Sequence, residues 1–310
     1  MASRSARGEV RSNPRAIRLT LGAAHGAIAG ERGDLMLATP QVLEFETFGF
    51  VVLRNWFSAE EVTVLKREHA AGLDAAWGRP FDGTARQWAL MTSERTPLFA
   101  SLLEDDRFAG VAEQLYGGDV LGVMTDASRF VGDTFWHPDT VGFDHYGIKF
   151  VFYLEPLRAD SGALRVVPGS HRQPYHDAFM RFLNARRPEI DEVPSFVFES
   201  EPGDVLAFDL RLYHASCHGA PGRPGASLSY FNNPKTDAQL AALREQDRLS
   251  RGHTRDLRGP SAVAGGSSLF EPSWLANTAG NARRARCISR LRELGFFDPL
   301  ELEDRNRLPH

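Results

Sequence analysis

The feature that most constrains the fold of this chain is a series of short apolar runs separated by Gly, Pro and Asp turns. From Val120 onward these runs recur at a spacing of roughly 8–12 residues, which is typical of a sandwich or barrel and not of βαβ units. The runs are DVLGVMTDASRFV, GIKFVFYLEPL, GALRVVPGS, SFVFESEPGDVLAFDL and ASLSYFNNP. The predicted fold class is therefore mainly β, with helices flanking the strands.

Helical patterns precede the strand-like runs. Residues 42–53 change from a short helix through a glycine into an apolar strand. Ser58 and Glu61 have the spacing of a capping box, which predicts the start of a longer helix. We interpret His69, on the apolar face of that helix, as a partly exposed helix residue and not as a ligand. A second helix is predicted over 97–116.

The sequence predicts one domain over residues 1–310, because all-β domains often reach this length. Within it we expect 1–33 to be a flexible leader, 41–235 to be the core and 236–310 to be a helical extension. The extension contains the polar segment DAQLAALREQDRLS and, near its end, a basic helix. It could cover the mouth of a barrel, form a dimer contact or buttress the barrel.

Composition narrows the classes of function. The formal net charge of -4 argues against a dedicated nucleic-acid binder. Cys217 and Cys287 are too few for a disulfide framework and suit a reducing cytosol, so we expect a cytoplasmic protein. No apolar run is long enough to cross a bilayer, and the basic N-terminus lacks the apolar stretch of a secretory signal.

A metal-binding pattern lies within the strand-like part. His137 and Asp139, two residues apart at a bent strand end, can point at a common centre. A second histidine from a distant strand would complete the 2-His-1-carboxylate facial triad that binds non-haem Fe(II). Two histidines compete for this role. His214 ends the strand DVLAFDLRLYH, whereas His218 lies in the loop that follows, so we prefer His214.

Two cations accompany this pattern. Arg223 opens the alternating strand RPGASLSYF, so its side chain could point into the barrel, where its planar fork suits bidentate capture of a carboxylate. Lys149 lies on the strand face opposite Ile148 and Phe150. A charge inside such a strand is costly to bury without a partner. Lys149 therefore either reaches solvent on an outer face or faces the site and binds an anion.

Five segments in this order resemble the phytanoyl-CoA dioxygenase (PhyH-like) family of Fe(II)/2-oxoglutarate-dependent oxygenases: FETFGFVVLRNWFSAEEV, WHPD, GALRVVPGSHR, EPGDVLAFDLRLYHAS and RPGASLSYFN. The resemblance implies a double-stranded β-helix, a jelly-roll barrel of the cupin-like kind. It implies that Fe(II) is bound by His137, Asp139 and His214 and that 2-oxoglutarate is anchored by Arg223. It also implies that His171, in the turn PGSH, is structural.

The resemblance covers roughly residues 40–235, and we take 41–235 as the catalytic core. No adenine-nucleotide or CoA-binding signature is present in the sequence, so an acyl-CoA substrate is not implied. The segment after Lys235 has no counterpart in the family. Lys149 is a candidate for a second contact to 2-oxoglutarate. Four further residues are candidates for positions near the substrate or behind the metal ligands: Arg129, Trp136, His218 and Asn232.

The sequence thus predicts an enzyme that hydroxylates a small molecule with O₂, releasing succinate and CO₂, in bacterial secondary metabolism. Asp139 favours hydroxylation over halogenation, because related halogenases carry a small residue in its place. Desaturation, ring closure and epimerisation stay open. Two rivals also stay open, a cupin-type metalloenzyme with a non-oxidative reaction and a catalytically silent jelly-roll binding protein. We expect no nucleic-acid or membrane partner, and a homodimer is considered.

Overall fold

Two antiparallel sheets form the centre of the molecule. The computed structural model describes residues 36–140, 142–143, 147–257, 270–278 and 280–297. Its strands are β1 (Phe50–Leu53), β2 (Gln87–Leu90), β3 (Val120–Phe130), β4 (Thr134–His137), β5 (Gly147–Tyr153), β6 (Leu164–Val166), β7 (Phe196–Phe198), β8 (Val205–Asp209), β9 (His214–Ser216) and β10 (Arg223–Asn232). The larger sheet has the order β1-β8-β5-β10-β3-β2 and the smaller one β4-β9-β6-β7. The predicted mainly-β barrel class is confirmed.

Helices surround the sheets. They are α1 (Thr39–Phe48), α2 (Ala59–Trp77), α3 (Pro97–Leu102), α4 (Asp106–Tyr116), α5 (Tyr175–Arg186), α6 (Asp237–Leu257), α7 (Pro272–Ala276) and α8 (Ala282–Glu293). Among the described residues, no helix combines the length and the apolar character needed to cross a membrane.

Local sequence signals explain most helix ends. Gly49 ends α1 in the left-handed region at φ 84°, and β1 begins directly after it. The capping box of α2 is confirmed, with Glu61 N–H donating to Ser58 Oγ at 3.2 Å and Ser58 N–H donating to Glu61 Oε2 at 2.9 Å. The single helix predicted over 97–116 is wrong. Asp105 caps a new helix by accepting from Arg107 N–H, which separates α3 from α4.

The larger sheet has two faces, and β5 shows the difference between them. Its helix-side face, carrying Ile148, Phe150 and Phe152, packs into the main hydrophobic cluster against the helices. Its barrel-side face carries Lys149 and, in the smaller cluster between the sheets, Val151 and Tyr153. Successive side chains of a strand point to opposite faces, so this alternation decides which residues can reach the barrel interior.

The described part of the C-terminal extension packs onto the barrel. Leu243, Trp274, Ile288 and Leu291 all belong to the main hydrophobic cluster. This described part therefore buttresses the barrel, one of the three roles considered for the extension. The predicted leader over residues 1–33 lies outside the described residues.

His69 is not partly exposed, as the sequence suggested. It is only 4% exposed, and its Nε2–H donates to the carbonyl of Ser128 at 3.0 Å. Burial lowers the pKa of His69 to about 4. The sequence misplaces the imidazole because this face of α2 packs against β2, β3 and α3, which leaves it little contact with solvent.

Candidate metal centre and substrate cavity

The candidate metal centre lies where β4 pairs with β9 at the edge of the smaller sheet. The register sets His137 opposite His214, with ring centroids 4.3 Å apart. The Nδ1 atom of His137 is 2.7 Å from the Phe135 carbonyl, and that of His214 is 2.9 Å from the Leu212 carbonyl. Because a carbonyl can only accept, both rings carry their proton on Nδ1 and leave the Nε2 lone pair for a metal.

Asp139 brings the third donor to the same place. Its N–H donates to the carbonyl of Leu210 at 2.7 Å, and its carbonyl accepts from Gln246 Nε2 at 3.1 Å. One carboxylate oxygen lies 3.9 Å from His137 Nε2 and the other 3.7 Å from His214 Nε2. One donor atom from each of the three residues lies within 4.8 Å of the others. Two imidazoles and a carboxylate in this arrangement suit one face of an octahedral Fe(II) ion.

The electrostatics keep these groups in their metal-binding forms. Burial and, to a smaller extent, the neighbouring His137 lower the pKa of His214 to about 3. Burial alone would raise the pKa of Asp139. Lys149, whose Nζ is 2.7 Å from Asp139 Oδ2, and the two imidazoles outweigh burial and hold that pKa well below its usual range. A neutral imidazole and an ionised carboxylate are the forms that bind a metal.

A cavity of about 390 Å³ opens beside the triad, a size that suits a small molecule. Its walls combine apolar side chains with a few charged ones. The apolar group includes Trp88, Val123, Met124, Val151, Leu210, Phe231 and Leu249. The charged group outside the triad is Arg86, Asp126, Lys149 and Arg223.

Arg223 reaches this cavity from the start of β10. Its Nη1 and Nη2 donate to the carbonyls of Ala220 and Gly132, both at 3.1 Å, while Nε is buried without a hydrogen-bond partner. A side chain at Gly162 or Gly219 would collide with the guanidinium, so both positions leave room for it. A buried guanidinium with an unused donor fits the distal carboxylate of 2-oxoglutarate.

Lys149 lies on the barrel-side face of β5, so of its two alternatives the structure excludes the outer, solvent-facing one. The anion that it contacts is Asp139, a residue of the triad. The side chain lines the cavity. A direct contact between Lys149 and 2-oxoglutarate stays a prediction.

Two strand residues proposed for the site point away from the cavity. Arg129 donates to Gln87 Oε1 at 2.8 Å and pairs with Asp74 at 2.9 Å. Its neighbour Phe130 lines the cavity, so alternation directs Arg129 to the other face. Asn232 ends β10, and there the cavity-lining residue is its neighbour Phe231. The structure therefore gives neither Arg129 nor Asn232 a place in the cavity wall.

Three further residues are placed elsewhere. Trp136 packs edge-on against Phe179 of α5, with ring centroids 6.2 Å apart, and is not in the cavity wall. His218 lies in the exposed loop after β9, where its Nε2 is 3.1 Å from Asp191 Oδ2, so it is not the third metal ligand. His171 is buried in contact with the backbone at Gly49, where a Cβ would collide with its ring. This agrees with a structural role.

Sequence reasoning missed Arg86, Asp126 and Gln246, which also line the cavity. Arg86 lies in an irregular segment that carries no periodic signal. Gln246 lies on α6, beyond the part of the chain that resembles the family. Asp126 could have been found, because a carboxylate in the apolar run DVLGVMTDASRFV is as unusual as a lysine in β5.

The barrel, the His-Asp-His triad and the adjoining cavity together define a non-haem Fe(II)/2-oxoglutarate-dependent oxygenase. The chain belongs to the family described as Phytanoyl-CoA dioxygenase (PhyH), whose sequence profile matches residues 45–218, more than half of the chain. Fe(II) and 2-oxoglutarate are accordingly its cofactors.

Known proteins similar to this chain include enzymes with different reactions. An ectoine dioxygenase from Stutzerimonas stutzeri (strain A1501) is 28% identical over 249 residues, covering 68% of this chain and 81% of the relative. HygX from Streptomyces hygroscopicus, solved with nickel and 2-oxoglutarate bound, superposes with a TM-score of 0.53 at 21% identity, over 63% of this chain and 87% of HygX. The non-heme alpha ketoglutarate dependent epimerase SnoN from nogalamycin biosynthesis superposes with a TM-score of 0.51 at 19% identity, over 63% and 82%. The two structures support the fold.

Proposed function

We propose that this protein hydroxylates a small molecule, with 2-oxoglutarate and O₂ as cosubstrates and succinate and CO₂ as products. The observation that carries the proposal is the triad with Asp139 present, opening onto a cavity of about 390 Å³. Hydroxylation is preferred over halogenation because Asp139 occupies the position where related halogenases carry a small residue.

The residues of this chain have separate roles in the proposed reaction. Iron and 2-oxoglutarate, when bound, supply the oxidising chemistry, and the protein binds, orients and excludes water. His137, Asp139 and His214 hold the metal through two nitrogens and one carboxylate. Arg223 holds the distal carboxylate of 2-oxoglutarate by charge-assisted hydrogen bonds. Apolar side chains of the wall keep the reacting region dry.

Fold alone does not determine a substrate, and the relatives differ in theirs. One similar protein is named an ectoine dioxygenase and another an epimerase. Epimerisation, desaturation and ring closure are therefore the alternatives to hydroxylation. A role in secondary metabolism, a cytoplasmic location, a single domain and a homodimer stay predictions.

The test is an anaerobic titration of the metal-free protein with Fe(II) and 2-oxoglutarate, followed by the visible charge-transfer band of their chelate. We expect the band in the wild type and in His218→Ala, a matched exposed histidine, and its loss in His214→Ala. Iron binding without the band would favour the cupin-type rival, in which Arg223→Ala would also leave activity intact. Absence of iron binding would favour a silent binding protein.

A further inference from the structure

Arg86 is the cavity cation whose charge the proposed reaction does not use. It directly precedes β2, the edge strand that pairs with β3, and lines the cavity together with Trp88 two residues later. Its Nε and Nη2 both donate to a single acceptor, Ser128 Oγ, at 3.1 and 2.8 Å. The guanidinium carbon lies 4.5 Å from the ring centroid of Phe130. These contacts hold the guanidinium in one orientation.

No carboxylate of the described residues forms an ion pair with Arg86. Asp126, a carboxylate of the same cavity wall, already accepts from Trp88 Nε1 at 2.9 Å and from Ser227 Oγ. Burial lowers the pKa of Arg86, yet an arginine remains charged at neutral pH. A partly buried guanidinium whose fixed hydrogen bonds reach only one hydroxyl has donors left for an incoming anion.

The charges of the cavity point in the same direction. Three cations, Arg86, Lys149 and Arg223, face two carboxylates, Asp126 and Asp139. Fe(II) and 2-oxoglutarate carry equal and opposite charges, so their binding leaves this surplus of one positive charge in place. A single anionic group on the substrate would neutralise it in an environment where unpaired charge is costly.

We propose that Arg86 anchors the primary substrate, and that this substrate is a small organic molecule with one carboxylate. The carboxylate would meet the guanidinium beside Phe130, and the apolar remainder would face Trp88, Met124 and Leu249. The inference rests on the proposed function, because it assigns Arg223 to 2-oxoglutarate and leaves Arg86 for the substrate.

The test compares binding of benzoate, cyclohexanecarboxylate and 4-phenylbutyrate with that of their primary amides. Affinities are measured by calorimetry and by perturbation of the anaerobic Fe(II)/2-oxoglutarate band. In the wild type and in Arg79→Gln, an exposed arginine of the same loop, at least one carboxylate should bind about tenfold tighter than its amide. Arg86→Gln should abolish this preference, and Arg86→Lys should restore part of it.

The outcomes separate this inference from the proposed function. Absence of the Fe(II)/2-oxoglutarate chelate band in the wild type would overturn the proposed function itself. A normal band without preference for any carboxylate, or a preference that persists in Arg86→Gln, would overturn the role of Arg86 alone. If Arg86→Gln weakens the binding of 2-oxoglutarate as much as Arg223→Gln does, Arg86 is a second anchor of the cosubstrate and not the anchor of the substrate. Unchanged melting temperatures exclude a folding defect.

Discussion

The two faces of the larger sheet share their strands but differ in chemistry. On the helix-side face, β5 adds three apolar side chains to one continuous hydrophobic cluster. On the barrel-side face the same strand presents Lys149 to the metal-binding carboxylate. The β3 strand repeats the contrast, with Ala127 in the hydrophobic cluster and its neighbour Asp126 in the cavity wall. Stability and chemistry are therefore assigned to opposite faces, and substitutions on the two faces should have separable effects.

The largest effect is expected at the metal centre. His214→Ala removes one of three donors and should abolish turnover and weaken iron affinity by more than about a hundredfold, since even residues behind the ligands can cost that much. The free energy of unfolding of the metal-free protein should change little, although turnover is abolished. Iron binding is measured by anaerobic titration. Full activity in this variant would contradict the assignment of the triad.

The helix-side face should give the opposite result. Phe150→Ala deletes a fully buried ring and should lower the free energy of unfolding by about 3–5 kcal/mol. The chelate band of the remaining folded protein should be unchanged. Urea unfolding provides the measurement, and Phe135→Ala, whose side chain is 78% exposed, is the matched control with little expected effect. An altered band at normal stability would show that the two faces are coupled.

A pH dependence should arise from His69 on the helix side. The pKa of His69 in the folded protein is about 4, below the ordinary value of 6.5. Between these two pH values the unfolded chain binds a proton at His69 and the folded protein does not. Stability is complete above pH 6.5 and is lost as the pH falls toward 4, by about 3 kcal/mol. In His69→Gln, which keeps a donor for Ser128, unfolding of the metal-free protein should lose correspondingly less stability over this window. An identical pH profile in both proteins would contradict the assignment.

A substitution of Arg223 tests the barrel-side face without removing a metal ligand. Arg223→Gln should raise the apparent KM for 2-oxoglutarate by about 10–100-fold, because a charge-assisted bidentate contact is lost. The rate at saturating 2-oxoglutarate should fall less. Succinate release at varied 2-oxoglutarate concentration measures both constants. An unchanged KM would move the anchor to another cation of the cavity.

The smallest effect is expected at Gln246, which acts on the triad through the backbone. Gln246→Ala removes the hydrogen bond to the Asp139 carbonyl and should weaken iron binding by about fivefold. Glu245→Ala, at the exposed neighbouring position, is the control. If both variants bind iron equally well, α6 shapes the cavity without positioning the carboxylate.

The barrel class and the triad could be predicted because each has a local signature. Short strands between turns indicate a barrel, and His137 and Asp139 lie two residues apart at a strand end. The sequence favours His214 over His218 because it ends the run DVLAFDLRLYH, but that run is not one strand. β8 ends at Asp209, and His214 begins β9, whose register with β4 sets it opposite His137. These features depend on neighbouring residues and on one pairing of strands.

The side to which a charged strand residue points was harder to predict. The β5 strand is almost wholly buried on both faces, so no polar alternation reveals which face meets the cavity. The sequence therefore leaves Lys149 open between solvent and site, and it assigns Arg129 to the site although the neighbouring Phe130 is the residue that lines the cavity. Arg86 lies in an irregular segment, where its position depends on pairing between β2 and β3.

The position of α6 has a consequence for how this enzyme could diversify. The helix contributes Gln246 and Leu249 to the cavity, yet it lies beyond residues 45–218, which match the family. The metal-binding triad and this part of the cavity wall are thus encoded in separate stretches of the chain. Exchange of the helix would change the shape of the cavity while the three metal ligands stay, provided that the new sequence keeps a donor for the Asp139 carbonyl.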